Sequence, residues 1–265
     1  MQNLVLIPKL KSEYGPMMQS MIKTGIKVQD FNSDYSKFDK AVVFSNDASV
    51  IKNLRNRHTK LGWWMCDLRP PEMLESVDCI DHIFLCNTEH LEGYNKKYGV
   101  PVSYMPQTGM DFDGEDAEVD WNILFIGNFT PTWHYNRAEI LESVQDLGLK
   151  TISGAKFTPQ NKEMYRKTPI NISISLPVRG YTSNRTYNIL SSGGFCLINW
   201  FPDIEKLFTN HKHLVWFKNK EEARAICKYY LENPKEREKI ARQGKMLYNS
   251  KHTAKHRLDE MFSLL

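Results

Sequence analysis

The chain has 265 residues, of which 41% are hydrophobic, 12% aromatic and 25% charged. This balance suits one large or two small soluble domains and excludes a disordered regulator, a coiled coil and a collagen-like fibre. Net charge is +4, from 35 basic and 31 acidic residues, enough to favour a small anionic ligand but short of a dedicated nucleic-acid binder. No apolar run approaches the ~20 residues of a membrane-spanning helix, so no membrane insertion is expected. The first residues carry only a short apolar stretch without a basic lead, unlike a secretory signal. Five cysteines without a CxxC pair argue against a disulfide framework and a zinc site. A cytoplasmic location with reduced thiols is the expectation.

In chain order, short apolar runs at 4–7, 26–31, 41–44, 61–65 and 80–86 predict strands. Residues 87–99 predict a helix, with Asn87 or Thr88 as N-cap and Gly99 just beyond its end, and 101–105 a further strand. The stretch 109–120, dense in acids and glycine, reads as a linker. After it, strands are predicted at 121–126, 150–153, 170–176, 195–199 and 214–217. Helices are predicted at 136–147, 159–167, 184–192, 202–208, 220–232, 234–249 and 252–265. Strand–helix alternation at these spacings implies βαβ units with parallel sheets. The domains expected are 1–115, 116–250 and a closing helical segment, 251–265. The fold class is α/β, with two Rossmann-like parallel-sheet domains facing each other across a cleft and a short N-terminal domain.

The segment 179–208 carries the most chemistry. A polar loop with Arg179 leads into a helix that opens at Arg185 and ends at Gly193-Gly194. A guanidinium at a helix mouth, beside free backbone N–H groups, receives a diphosphate well. Taken alone, the same pattern equally fits an αβ corner with surface arginines. Elsewhere, Lys52, Arg55, Arg57, His58 and Lys60 form a basic run without an acid, either a solvated face or a polyanion contact.

The motif Arg185-x-Tyr187-Asn188-x-Leu190-x-x-Gly193-Gly194-Phe195, followed by Pro202-Asp203-Ile204-Glu205-x-Leu207-Phe208, resembles the signature of GT-B glycosyltransferases. The branch it is most similar to is the group-1-like family related to the CgeB spore-maturation proteins. Phe125-Ile126-Gly127-Asn128, Arg137 at the start of the next helix, Tyr165-Arg166, and His252-Thr253-x-x-His256-Arg257 match in order. Trp64-x-x-Asp67-x-Arg69 and Tyr104-Met105-Pro106-Gln107 are weaker echoes. The resemblance implies a nucleotide-sugar donor, UDP-sugar favoured, bound by the C-terminal domain, and an acceptor bound mainly by the N-terminal one. It also implies a last helix returning to the first domain, no essential metal and no cofactor beyond the nucleotide-sugar co-substrate. Arg185 would face the diphosphate with Arg179 assisting. Arg137 would open the next helix, and Tyr187 and Asn188 would lie near ribose or base. Ser191, Gly193 and Gly194 would line the phosphate path, with Gly127 and Asn128 as the cleft floor.

Many relatives carry glutamate where this chain has Asn188, so the charge-assisted bond to ribose is lost there. With Arg185 taking the leaving-group charge, an inverting reaction would need a base, for which Asp67 is the candidate against a capping or ion-pairing role. His90 and His134 rank below it. Asp111-Phe112-Asp113 is a DxD triplet that matches a hard-cation site in form but lies in the acidic linker. Trp63, Trp64, Trp133 and Trp200 suit either sugar stacking or core packing. Acceptor contacts are assigned to Arg55, Arg57, Lys60, Trp64 and Arg69.

The expected activity is glycosyl transfer to an acceptor hydroxyl on DNA, a polysaccharide or a protein. A hydroxymethylated pyrimidine in DNA is one option, because the basic run would track phosphates beside a turned-out base. The alternatives are a non-catalytic nucleotide- or DNA-binding module of the same fold and, lowest, a nucleotide-sugar epimerase. Oligomeric state is left open.

Overall fold

The protein is described from a computed structural model, in which residues 2–7, 16–52, 54, 58–128, 136–153 and 158–265 are placed. It divides into two compact units: the first contains Met18–Gln107 and Ala254–Leu265 together with the first strand, the second Thr108–Thr253.

The first unit is built from β1 (Asn3–Ile7), α1 (Pro16–Lys23), β2 (Lys27–Asp30), β3 (Lys40–Phe44), α2 (Ala48–Ile51), β4 (Lys60–Met65), β5 (His82–Leu85), α3 (Leu91–Tyr98) and β6 (Val102–Tyr104). Its strands form one parallel sheet in the order β2-β1-β3-β4-β5-β6. Strands such as Ala41-Val42-Val43 and Ile83-Phe84-Leu85 are buried throughout, as a sheet covered on both faces requires. The helix predicted at 87–99 begins late, because His90 is not helical and donates its N–H to Asn87 Oδ1 at 3.0 Å. Gly99 ends it at φ 67°, a conformation open to glycine. Two helices escaped the sequence reading, α1 and α2. The first buries Met17, Met18 and Met21 on one face, and the second is a single turn capped by Asp47 through the N–H of Ser49.

The second unit runs β7 (Ile123–Ile126), α4 (Arg137–Glu142), β8 (Leu149–Ile152), α5 (Pro159–Lys167), β9 (Ile170–Ser173), α6 (Asn184–Ser192), β10 (Cys196–Asn199), α7 (Ile204–Leu207), β11 (Val215–Phe217), α8 (Lys220–Glu232) and α9 (Pro234–Lys251). The sheet is parallel, in the order β11-β10-β9-β7-β8. Both sheets therefore reverse direction once, beside their first strand, which is the doubly wound Rossmann-like arrangement. The last helix, α10 (Ala254–Leu264), belongs to the first unit. Lys40 Nζ there donates to Phe262 O at 2.7 Å, and Gly62 leaves room for Leu265, since a Cβ would lie 2.9 Å from Leu265 Cδ1.

The segment 109–120, expected to be a linker, packs within the second unit. Met110 and Phe112 are buried in its core, and Tyr248 donates to Asp111 Oδ1 at 2.5 Å. Among the described residues no helix is long and apolar enough to cross a membrane.

Gly194 shows how tightly this unit is closed. A Cβ there would lie 2.7 Å from Asn171 Nδ2 and would collide with Tyr165 O, a backbone atom that cannot step aside. Gly194→Ala should therefore cost ~1–3 kcal/mol, read as a lowered urea midpoint at unchanged slope. An unchanged midpoint would show that the backbone yields.

Candidate active site

Parallel α/β sheets bind ligands beyond the carboxyl ends of the strands, at the point where the strand order reverses. In the second unit that point lies between β7 and β9, the first strand and its neighbour on the other flank. Chain segments 126–128 and 173–175 emerge there, and the nine-residue α6 starts there, with the positive end of its dipole at the strand ends.

Two arginines converge on this place. Arg185, in the first turn of α6, donates from Nε to Ile126 O at 2.6 Å and from Nη1 to Ile174 O at 3.1 Å. Arg137, the first residue of α4, donates from Nη2 to the same Ile174 O at 2.8 Å and from Nη1 to Asn128 O. Both guanidinium groups pack on the Phe125 ring, at 4.6 Å for Arg185 and 5.2 Å for Arg137. They are 7% and 5% exposed, and among the described residues neither pairs with a carboxylate. Burial, and then the neighbouring Arg185 charge, pushes the Arg137 guanidinium down to about 9, and burial also lowers Arg185. Gly127 is required beside them, because a Cβ there would fall on Arg185 Nη2.

Two like charges buried without a counter-ion are costly to the free protein, and an anion relieves that cost. Backbone carbonyls hold both groups in place while neutralising neither. A pyrophosphate-sized dianion is the chemical complement of such a pair.

The other expected donor residues are placed differently. Asn128 is exposed at the end of β7 and accepts from Arg137. Arg179 is largely exposed and lies 3.4 Å from Asp203 Oδ1, outside the buried pair. Tyr187 is fully buried, with its ring against Phe208 and His252 at 6.1 and 5.4 Å, in a core position. Asn188 is also fully buried, and neither its Oδ1 nor its Nδ2 has a hydrogen-bond partner among the described residues. Ser191 Oγ bonds back to Asn188 O, and Gly193 ends α6 at φ 81°. Because α6 runs antiparallel to the strands, Ser191, Gly193 and Gly194 lie at its far end, ~12 Å along the axis from Arg185. The structure does not bring them to the switch point.

In the first unit, Asp67 and Arg69 follow the carboxyl end of β4, each about half exposed, with Arg69 Nε 3.6 Å from Asp67 Oδ2. Asp67 Oδ1 also accepts from Leu68 N–H at 2.9 Å. Trp63 and Trp64 are wholly buried, their indole N–H groups on Ser45 O and Met105 O at 2.8 and 3.3 Å, so both act in packing. Lys60 opens β4 at its amino end, a strand length from Asp67. Lys52 is paired with Glu75 at 2.5 Å. Arg55, Arg57, Trp133 and His134 lie outside the described residues. His90 precedes α3, with its backbone on Asn87. Asp111 of the DxD triplet is engaged by Tyr248, and no group of three or more His, Cys, Asp or Glu suited to a metal occurs among the described residues. Phe125, noted only within the strand motif 125–128, and the Ile174 carbonyl were given no site role from the sequence, since a core aromatic and a backbone oxygen carry no functional signal there.

Two such Rossmann-like units make up the GT-B fold of glycosyltransferases, and the comparisons agree. The structure of Anabaena HepE (Alr3699) in complex with UDP and glucose is similar over 100% of this chain and 99% of that one, with a TM-score of 0.67 at 8% identity. The T4 phage enzyme BGT, solved in complex with its UDP-glucose substrate, is similar over 99% of both chains, with a TM-score of 0.66 at 13% identity. Sucrose-phosphate synthase from Thermosynechococcus elongatus covers 100% of this chain and 98% of its own, at 0.62 and 8%. No curated protein matches the sequence. The sequence profile described as glycosyl transferase-like matches residues 120–263, more than half of the chain, and the protein belongs to that family.

Replacing Arg137 by Met removes one buried charge while Ile174 O keeps Arg185 as donor. Arg137→Met should raise the melting temperature of the free protein by ~2–4 °C, equivalent to about 1 kcal/mol. Inorganic pyrophosphate should stabilise the variant less than the parent. A lowered melting temperature would show that the carbonyl bonds outweigh the unpaired charge.

Proposed function

We propose that the protein transfers a sugar, glucose in the first instance, from its UDP conjugate to an acceptor hydroxyl. The observation that carries this is the pair of buried guanidinium groups at the switch point, on the helix dipole of α6, with no acid partner among the described residues. Departure of a nucleoside diphosphate leaves negative charge on the β-phosphate, and preorganised cations stabilise it most where water is excluded. In this reading Arg185 and Arg137 take that charge, so no metal and no further cofactor take part. Gly127 and Asn128 form the floor beneath the phosphates, and Arg179 is an outer cation of the same site. Support for UDP-glucose comes from HepE and the T4 phage enzyme, whose structures hold UDP with glucose and UDP-glucose. Kinship with the branch related to the CgeB proteins belongs to the same proposal, on the motif 185–208, as does a cytoplasmic location.

The buried amide of Asn188, without a hydrogen-bond partner among the described residues, retains its hydrogen-bonding capacity for a ribose hydroxyl. On the acceptor side, Asp67 is assigned the base that takes the acceptor proton, with Arg69 beside it. The acceptor class is a hydroxyl on a large molecule, and the acid-free basic run 52–60 supports a hydroxymethylated pyrimidine in DNA as its first member.

Thermal shift with UDP tests the donor half. At ~100 times the dissociation constant, UDP should add ~2.7 kcal/mol of stability, Arg185→Ala should abolish the gain, and EDTA should leave it unchanged. No shift with any nucleoside diphosphate would sink the reading. Donor hydrolysis without acceptor then separates enzyme from binding module, since a module binds UDP-glucose and leaves it intact. Asp67→Asn should lower kcat/KM by ~10²–10⁴ with UDP affinity retained, and an unchanged rate removes Asp67 as base. Transfer of labelled glucose to duplexes with and without hydroxymethylcytosine decides the DNA acceptor.

A further inference from the structure

The two guanidinium groups share one acceptor, Ile174 O, and the peptide unit that carries this oxygen also carries the N–H of Ser175. That N–H donates to Asn199 Oδ1 at 2.8 Å, while Asn199 Nδ2 donates to Ser175 O at 3.0 Å. Asn199 is the last residue of β10, the strand beside β9, and so clasps Ser175 from both sides where the ladder has stopped. The clasp explains why β9 ends at Ser173 although the apolar run continues to Leu176. Ser175 in turn meets α6: its Oγ donates to Ser183 Oγ and accepts from Ser183 N–H, both at 3.2 Å, and Ser183 is the N-cap before Arg185.

We propose that Asn199 is the positioning residue of the donor site, setting the plane of the Ile174–Ser175 peptide and through it the placement of Arg185 and Arg137. The inference rests on the donor reading given above. Two physical effects act in series. A peptide N–H engaged by an amide oxygen polarises its own carbonyl and makes it the better acceptor. A peptide plane held at its N–H cannot rotate its C=O away from the two cations. The residue needs no contact with the donor, and no sequence motif distinguishes it from any asparagine at a strand end.

The test compares Asn199→Leu, near in volume and without hydrogen-bonding atoms, with the parent. A first readout needs no ligand: hydrogen exchange of the Arg185 Nε–H, which donates to Ile126 O, followed by ¹⁵N NMR. Exchange should quicken at least tenfold in Asn199→Leu while the backbone N–H of Leu197, in the core of β10, stays protected. A second readout is UDP affinity, which should fall about tenfold in Asn199→Leu and by clearly less when Asn199→Leu is added to Arg137→Met, because one of the two cations it places is then already gone. Asn199→Asp keeps an acceptor for the Ser175 N–H and should keep the Arg185 Nε–H within threefold of the parent, which also covers a leucine variant that does not fold. Unchanged Arg185 exchange in Asn199→Leu, or a further loss of affinity in the double variant equal to that of the single one, overturns the inference. A parent that binds no UDP while Asn199→Leu still frees the Arg185 Nε–H would overturn the donor reading and leave the positioning role standing.

Discussion

Placing two guanidinium groups in the interior, with no acid partner among the described residues, is an electrostatic demand that the second unit meets with backbone carbonyls. Ile126, Asn128 and Ile174 lend their oxygens to Arg185 and Arg137, and the Phe125 ring lies against both. Carbonyl dipoles solvate a cation without cancelling it, so the site keeps its charge for an anionic partner. Much of the surrounding structure follows from this demand. β7 must be followed by a glycine, because any side chain at 127 would displace Arg185. β9 must give up its ladder after Ser173 so that Ile174 O turns toward the cations. Ser173, Thr186 and Thr182 form a buried hydroxyl chain, at 2.9 and 2.6 Å, that ties the first turn of α6 to the strand end.

The same logic separates residues that act from residues that hold. Gly194, Tyr187 and Trp64 sit in motifs that resemble glycosyltransferase signatures, yet each is occupied by packing. Gly194 lets α6 and β10 approach the end of α5. Tyr187 fills the core against α9 and its C-terminal His252. Conversely, Asn199 and Phe125 carry weight in the site without belonging to its most specific motif.

Much of the architecture was legible in the residues. The helices at 159–167, 184–192 and 220–232 have the bounds expected of them, since proline, polar caps and Gly193 mark their ends. Strands were found within a few residues, and β9 ended early where the Asn199 side chain rather than a neighbouring strand took over the backbone hydrogen bonds of Ser175. Residues 109–120 misled, because acids and glycines suggest solvent while Met110 and Phe112 are buried and Asp111 is bonded to Tyr248.

By itself the sequence determined the alternation of strands and helices, and hence two parallel sheets, because short β-branched and aromatic runs between capped amphipathic segments admit few other packings. It also marked the arginine that opens α6. The tertiary structure decided which marked residues meet. A helix antiparallel to its strands puts Arg185 at the switch point and Gly193 at the opposite end, although they are neighbours in one motif. Arg137 joins Arg185 from the other flank of β7 only because the strand order reverses there. The oxygens that hold both are main-chain atoms, the same in every residue, so only the folded chain shows which of them turn toward the charge.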